Sequence, residues 1–285
     1  MQSLKSAAQD FATVLPEFFP AGQTPKFFIQ TGSGFAIEGL LDDIAVRKPL
    51  SELPGMPAAE SPAGHSLQLI SGWCCGTPLL VCEGRRHLYE GQGTLSCVLP
   101  TCAAKFAGIT AGIFLAAAGG VNPDYRPGTL MVLTDFINNL GTSPLIGRQS
   151  LGADFFPAMN EAYSPALTSA FLNATAEGVI APRVGTYQAN LGPQYETPAE
   201  VEIARRNGAD AVGMSVVLET IAARALSMEV LGIVLITNNA GAVRGPGPTH
   251  KEVRKLAADM SPEIMRLLRN FIAENKNEES SNSEQ

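Results

Sequence analysis

Residues 83–91 read Glu83-Gly84-Arg85-Arg86-His87-Leu88-Tyr89-Glu90-Gly91, and their reading decides how the rest of the chain folds. They follow the apolar run Leu79-Leu80-Val81-Cys82, whose short, continuous hydrophobicity predicts a buried strand. A strand that stops at a glycine and then presents Arg, His and Tyr carries polar groups to the rim of a sheet. In open α/β sheets that rim is where ligands bind. The planar guanidinium of Arg85 suits an oxyanion, phosphate above all. If the segment stays extended, Arg85, His87 and Tyr89 leave one face. A solvated polar loop is the plain alternative for the same nine residues.

Outward from this stretch, strands alternate with helices. Phe27-Phe28-Ile29-Gln30 predicts a strand that runs into Thr31-Gly32-Ser33-Gly34, a turn able to offer N–H groups and a hydroxyl to an anion. The spacing of Gly32, Gly34 and Gly39 departs from G-x-G-x-x-G, and no Gly-Lys-Ser/Thr is present, which argues against dinucleotide or nucleoside-triphosphatase chemistry. Residues 2–15 have helical spacing ended by Pro16 and Pro20, and residues 41–63 read as loop. Gly64-His65 opens a predicted hairpin of 67–70 and 79–82 around Gly76-Thr77-Pro78. A helix is expected over 96–108, with Pro100 at its start or a kink, and another over 218–228. Strands are expected at 113–122, 129–134, 184–189 and 231–236. Thr197-Pro198-x-Glu200 and Thr249-x-x-Glu252 are capping boxes that open helices, the first closed by Gly208. The pattern predicts one α/β domain over residues 1–275, a central mixed, mostly parallel sheet flanked by helices, and a disordered polar tail over 276–285.

The chain has 285 residues, 45% hydrophobic and 16% charged, which suits a globular protein with a sizeable core. A net charge of −7 argues against a general nucleic-acid or membrane-surface binder. Lys5 and Asp10 interrupt the N-terminus before any apolar core, so a cytoplasmic protein is expected. The longest uncharged run, 107–122, is too short to span a bilayer. Cys74, Cys75, Cys82, Cys97 and Cys102 lack zinc or CxxC spacing and read as reduced, mostly buried thiols, with no metal site.

The motif G-R-x-H-x-Y-E-G over 84–91 resembles the phosphate- and ribose-binding signature of the trimeric class of purine nucleoside phosphorylases. Further motifs resemble the same family in order. Gly-Ser-Gly stands at 32–34, Gly64-His65 opens the hairpin, and Ala117-Ala118-Gly119-Gly120-Val121-Asn122 follows Ala116 where the family has Asn. Asp135-Phe136-Ile137-Asn138 and Ser143-Pro144-Leu145-Ile146-Gly147 come next, then Phe-Pro-Ala-Met-Asn-Glu-Ala-Tyr over 156–163. Gly192-Pro193-Gln194-Tyr195-Glu196-Thr197 resembles the specific G-P-x-[FY]-E-T motif, and V-G-M-S over 212–215 and Thr237-Asn238 complete the set. Departures lie at Ala116, Phe136, Ser143, the 35–38 loop, and 151–154, near where the family places a phenylalanine that reaches the neighbouring subunit. The resemblance covers about residues 25 to 272 and implies a single-domain phosphorylase/hydrolase-like fold assembled as a homotrimer.

The activity implied is reversible phosphorolysis of purine ribo- and 2′-deoxyribonucleosides, with inorganic phosphate as co-substrate and no cofactor. Carried over from the family, Ser33, His65, Arg85, the Ala117 N–H and Ser215 would hold phosphate. Tyr89, the Met214 backbone and His250 would meet the ribose, with His87 beside them and Tyr187 and Tyr195 as walls. Glu196 and Asn238 would hold the purine, with Val212, Gly213 and Thr237 around it; Asn238, Glu196 and His87 would be catalytic. A carboxylate at Glu196 accepts N1–H of a 6-oxopurine, whereas adenine presents a lone pair there, so inosine and guanosine are the expected substrates. Asn190 and Asn239 add polar groups that would widen the C2 side toward xanthine. The alternatives are a methylthioadenosine phosphorylase, against which Asn238 speaks, and a catalytically silent nucleoside-binding homologue.

Overall fold

The computed structural model describes residues 4–19, 23–32, 34–56, 67–147, 156–176, 180–241 and 249–282. Strand β1 (Phe27–Gln30) is buried at all four positions, as its unbroken lack of charge requires. It lies between two parallel neighbours, β4 (Thr77–Glu83) and β5 (Ala111–Gly120). Beyond β4 the sheet continues antiparallel through β3 (Gln68–Cys74) to the edge strand β2 (Asp43–Pro49). On the other side β5 is followed by β8 (Ala211–Gly213), β7 (Arg183–Asn190), β6 (Leu130–Asn139) and β9 (Glu229–Asn239). Because β9 also pairs parallel with β5, these five strands close into a ring. The expected mixed sheet is present, with parallel β1–β4, β1–β5, β5–β9, β6–β7 and β7–β8 pairs only slightly outnumbering the antiparallel ones.

Period-two alternation along β1 sorts its side chains into two cores. Phe28 joins Leu80, Cys82 and Phe114 beneath α1 (Leu4–Ala12), α2 (Gly93–Phe106) and α5 (Val217–Ala225), which contribute Phe11, Leu99 and Ala222. Phe27 and Ile29 face the other way with Leu79, Val81 and Ile113, against α3 (Pro165–Ala174) and α6 (His250–Asn282). There Phe271 packs between Phe27 and Phe171, with ring centroids 5.6 and 5.7 Å away. Fully burying one such side chain stabilises the fold by about 1.5–3 kcal/mol. The remaining helix, α4 (Pro198–Arg206), starts on the expected box: the Thr197 hydroxyl accepts from Glu200 N, and Glu200 accepts from Thr197 N. Gly208 follows it with φ +90°, a left-handed position that glycine takes without a Cβ penalty.

Several expectations need correction. Residues 43–49, read as loop, form β2; only its partner β3 covers one edge, so charged residues there do not break it. The hairpin is longer than expected and turns at Cys75-Gly76, where both residues have positive φ. Helix α3, not anticipated, is announced by Ser164 at its N-cap and Pro165 at its first position. Helix α6 carries its helical backbone to Asn282, through most of the stretch expected to be a disordered tail. The segment after β4 is not extended throughout: residues 88–90 make a turn of 3-10 helix, which removes the common face expected for Arg85, His87 and Tyr89.

Candidate active site

Strand ends and one helix start converge on a cavity. Its floor is Ala116–Gly119 of β5, whose short side chains leave the backbone open to close approach. Around that floor stand His87 and Tyr89 after β4, Tyr195 and Glu196 before α4, and Val212, Gly213, Met214 and Ser215 at the end of β8. Thr237 and Asn238 come from the end of β9, and His250 and Val253 from the first turns of α6. Gly32 closes the side beneath β1. All these positions except Gly32, Ala116, Ala118, Gly119 and Val253 were expected at the site from sequence. Those five are small or apolar, and apolar character alone does not separate a cavity wall from core.

The polar side chains are held by partners within the chain. Glu90 accepts from the His87 backbone N–H at 2.7 Å and lies 3.2 Å from His87 Nδ1, while Arg86 Nη1 donates to its other oxygen at 3.1 Å. Burial works against this carboxylate, yet the His87 ring and backbone and Arg86 together hold its pKa below the ordinary value. An ionised Glu90 can only accept, so it favours the imidazole tautomer that donates Nδ1–H to it. His87 stacks on Tyr89 with centroids 4.8 Å apart. Burial, then Glu90 and Tyr195, push the Tyr89 phenol up to about 12, so it keeps its proton at neutral pH. The pKa of His250 is lowered by burial, then by Arg254 and His87, which favours its neutral form. The Thr237 hydroxyl lies 3.1 Å from Asn238 Oδ1 and 3.2 Å from the Ala118 carbonyl, and can donate to either.

Two expected residues stand behind the cavity rather than in its wall. Tyr187 is fully buried in the α2/α5 core; its hydroxyl accepts from Ser215 N at 3.3 Å, and a Cβ at Gly213 would collide with it. Strand alternation explains this, since Tyr187 points to the core face of β7. Arg85 is 1% exposed beneath the floor. Its Nη2 donates to the carbonyls of Gln30 and Leu115 at 3.3 and 3.2 Å, and its Nε faces Glu219 Oε1 at 3.4 Å. That last contact is an ion pair without hydrogen-bond geometry, and Nη1 is buried with no hydrogen-bond partner among the described residues. Glu219 was not anticipated, because a lone glutamate in the apolar helix α5 carries no sequence signal of its own. Asn239 is exposed and does not line the cavity. Ser33, His65 and residues 151–154 lie outside the described residues. Val216, between Ser215 and α5, has φ +59°, a conformation costly for a β-branched residue, about 1–3 kcal/mol, of the kind found at functional sites.

The family model of the phosphorylase superfamily matches residues 26–273, which include the closed sheet and every residue that lines the cavity. Purine nucleoside phosphorylase 1 of Geobacillus stearothermophilus is 38% identical over 272 residues, covering 94% of this chain and 97% of that one. The purine nucleoside phosphorylase of Bos taurus is 35% identical over 226 residues, covering 76% of each. The crystal structure of Schistosoma mansoni purine nucleoside phosphorylase in complex with adenosine superposes with a TM-score of 0.88 at 28% identity, covering 95% of this chain and 98% of that one. The chain belongs to the purine nucleoside phosphorylase family of pentosyltransferase enzymes. No helix among the described residues is long and apolar enough to cross a membrane.

Proposed function

We propose that this enzyme catalyses the reversible phosphorolysis of inosine- and guanosine-type ribo- and 2′-deoxyribonucleosides to free purine and (2-deoxy)ribose 1-phosphate. The observation that carries the reading is that Glu196, in the segment after β7, and Asn238, at the end of β9, line the same cavity as His87, Tyr89, His250 and Ser215. The C1′–N9 bond breaks as a phosphate oxygen bonds to C1′, through an oxocarbenium-like transition state that is positive on the sugar and negative on the purine. Phosphate answers the positive charge. It would be held by Ser33, His65, the Ala117 N–H and Ser215, with Arg85 Nη1, which has no hydrogen-bond partner among the described residues, supplying positive potential. Tyr89, the Met214 backbone and His250 would bind the ribose. On the base, Glu196 would accept N1–H, and Asn238 would bond O6 and N7 and favour the proton that arrives at N7. Phosphate is then the only co-substrate, and neither a metal nor an organic cofactor enters the reaction.

The enzyme is further proposed to be a cytoplasmic homotrimer. Ile146, Phe156, Leu191 and Tyr195 are exposed on the single chain, and Tyr195 lines the cavity, which supports assembly next to the site. The test is release of free base from inosine, guanosine, xanthosine and adenosine, each with and without phosphate. Phosphate-dependent cleavage of inosine and guanosine, with adenosine poor, is expected. The Schistosoma mansoni enzyme has been crystallised with both adenosine and inosine, so turnover rather than binding is the quantity to measure. Comparable kcat/KM values for adenosine and inosine would refute the specificity, and phosphate-independent release would refute the reaction.

A further inference from the structure

Glu196 is not a free carboxylate at the cavity wall. Asn190, the last residue of β7, donates its Nδ2 to Glu196 Oε1 at 2.7 Å. The Asn190 Oδ1 behind it accepts twice, from Gln188 Nε2 at 3.0 Å and from Asn139 Nδ2 at 2.9 Å. Asn139 is Asn190's register partner on the neighbouring strand β6, and Gln188 is buried on β7 itself. A carboxylate only accepts, so it dictates the direction of the whole chain of amides. Asn190 must show its NH₂ to Glu196, and Gln188 and Asn139 must show theirs to Asn190. Gln188 holds this orientation even though its own Oε1 is buried with no partner among the described residues. Turning the Asn190 amide over would set an oxygen against Glu196 and an NH₂ against two donors. Asn190 does not line the cavity, so it acts on a ligand only through Glu196.

We infer that Asn190 is a positioning and specificity-determining residue: its locked amide occupies one oxygen of Glu196, keeps the group an acceptor, and leaves the other oxygen to demand a donor at purine N1. The inference rests on the proposed base contact of Glu196. Selection of 6-oxo over 6-amino purines then depends on a residue outside the contact surface.

The discriminating variant is Asn190→Asp, which keeps the shape and exchanges the donor for an acceptor. Two carboxylates 2.7 Å apart share a proton. A protonated acid facing the cavity would donate to the bare N1 of adenine. Asn190→Leu keeps the size and supplies neither donor nor charge. Phosphate-dependent kcat/KM is measured for inosine and adenosine with the wild type and both variants, alongside thermal melting. Asn190→Asp is expected to raise the adenosine-to-inosine ratio by about tenfold or more. Asn190→Leu is expected to lower kcat/KM for inosine without raising that ratio. A folded Asn190→Asp enzyme with the wild-type ratio would overturn the inference, because shape alone would then suffice. So would an equal rise of the ratio in both variants. If Glu196→Gln leaves wild-type inosine kinetics intact, the base contact itself is wrong and the inference falls with it; a loss in Glu196→Gln without a change in Asn190→Asp removes this inference alone.

Discussion

The buried pair of Arg85 and Glu219 makes Glu219→Gln the most informative single change for the fold beneath the site. The two side chains are 0% and 2% exposed and 3.4 Å apart at Nε and Oε1. Gln keeps the size of the side chain and removes the charge, leaving a guanidinium whose hydrogen bonds among the described residues go to the carbonyls of Gln30 and Leu115. Breaking a buried pair by removing one partner costs about 3–5 kcal/mol, since the other charge stays desolvated. The two carbonyls remain in place, which favours the lower end of that range. An unfolding entropy near 2.1 cal/mol/K per residue gives about 0.6 kcal/mol/K for this chain, so Tm should fall by about 5–8 °C in calorimetry at fixed protein concentration. Arg85→Met should cost a similar amount and raise the phosphate KM more than the nucleoside KM. In the double variant the pair is replaced by a neutral one, and the combined loss should fall short of the sum by about 2 kcal/mol or more. A Tm for Glu219→Gln within about 1 °C of wild type, or strictly additive losses in the double variant, would refute the account of a charge pair that supports the phosphate subsite.

Glu196→Ala should lower kcat/KM for inosine by about tenfold or more, as a charge-assisted hydrogen bond to the leaving base is lost; unchanged inosine turnover would remove Glu196 from the base site. In the thiol chemistry, Cys74, Cys82, Cys97 and Cys102 are buried and only Cys75 is partly open to solvent. Burial pushes the Cys82 and Cys97 thiols up to about 12, and burial followed by the neighbouring Cys75 does the same for Cys74. A chromogenic disulfide reagent should therefore titrate one thiol quickly in the native enzyme and the other four only after denaturant; two or more fast thiols would contradict the packing around α2 and β4.

What could be read from sequence was whatever a local pattern controls. Phe27–Gln30 has no charge on either face, so it had to be a strand covered on both sides, and it is the strand that separates the two cores. The Thr197–Glu200 and Thr249–Glu252 boxes placed the starts of α4 and α6, and with them Glu196 and His250, because a capping box is closed within four residues. Strand β2 was missed for the converse reason. An edge strand with Asp43, Arg47 and Lys48 has no second covered face to demand alternation, so pairing with β3 decides it.

The same distinction separates the parts of the site. Period two put Arg85, His87 and Tyr89 on one face, but Glu90 folds back onto the His87 backbone and draws residues 88–90 into a 3-10 turn. His87 and Tyr89 consequently face the cavity together while Arg85, pinned by two strand carbonyls and Glu219, lies under its floor. A motif read as three side chains on one surface is in fact two layers, a polar wall and a charge beneath it. The layering suits the proposed chemistry. A guanidinium shielded from water acts at a lower effective dielectric than one on the rim, and Glu219 behind it offsets part of its charge, so what the proposed phosphate would meet is the Nη1 side of an ion pair. The Asn190–Glu196 contact has the same character: its partners are six residues apart, yet the intervening loop must fold back before the amide meets the carboxylate. Which residues line the cavity was thus largely legible from motif and spacing. Their preorganisation was not, because Glu90, Glu219 and Asn190 act through contacts that only the closed sheet and its loops bring together.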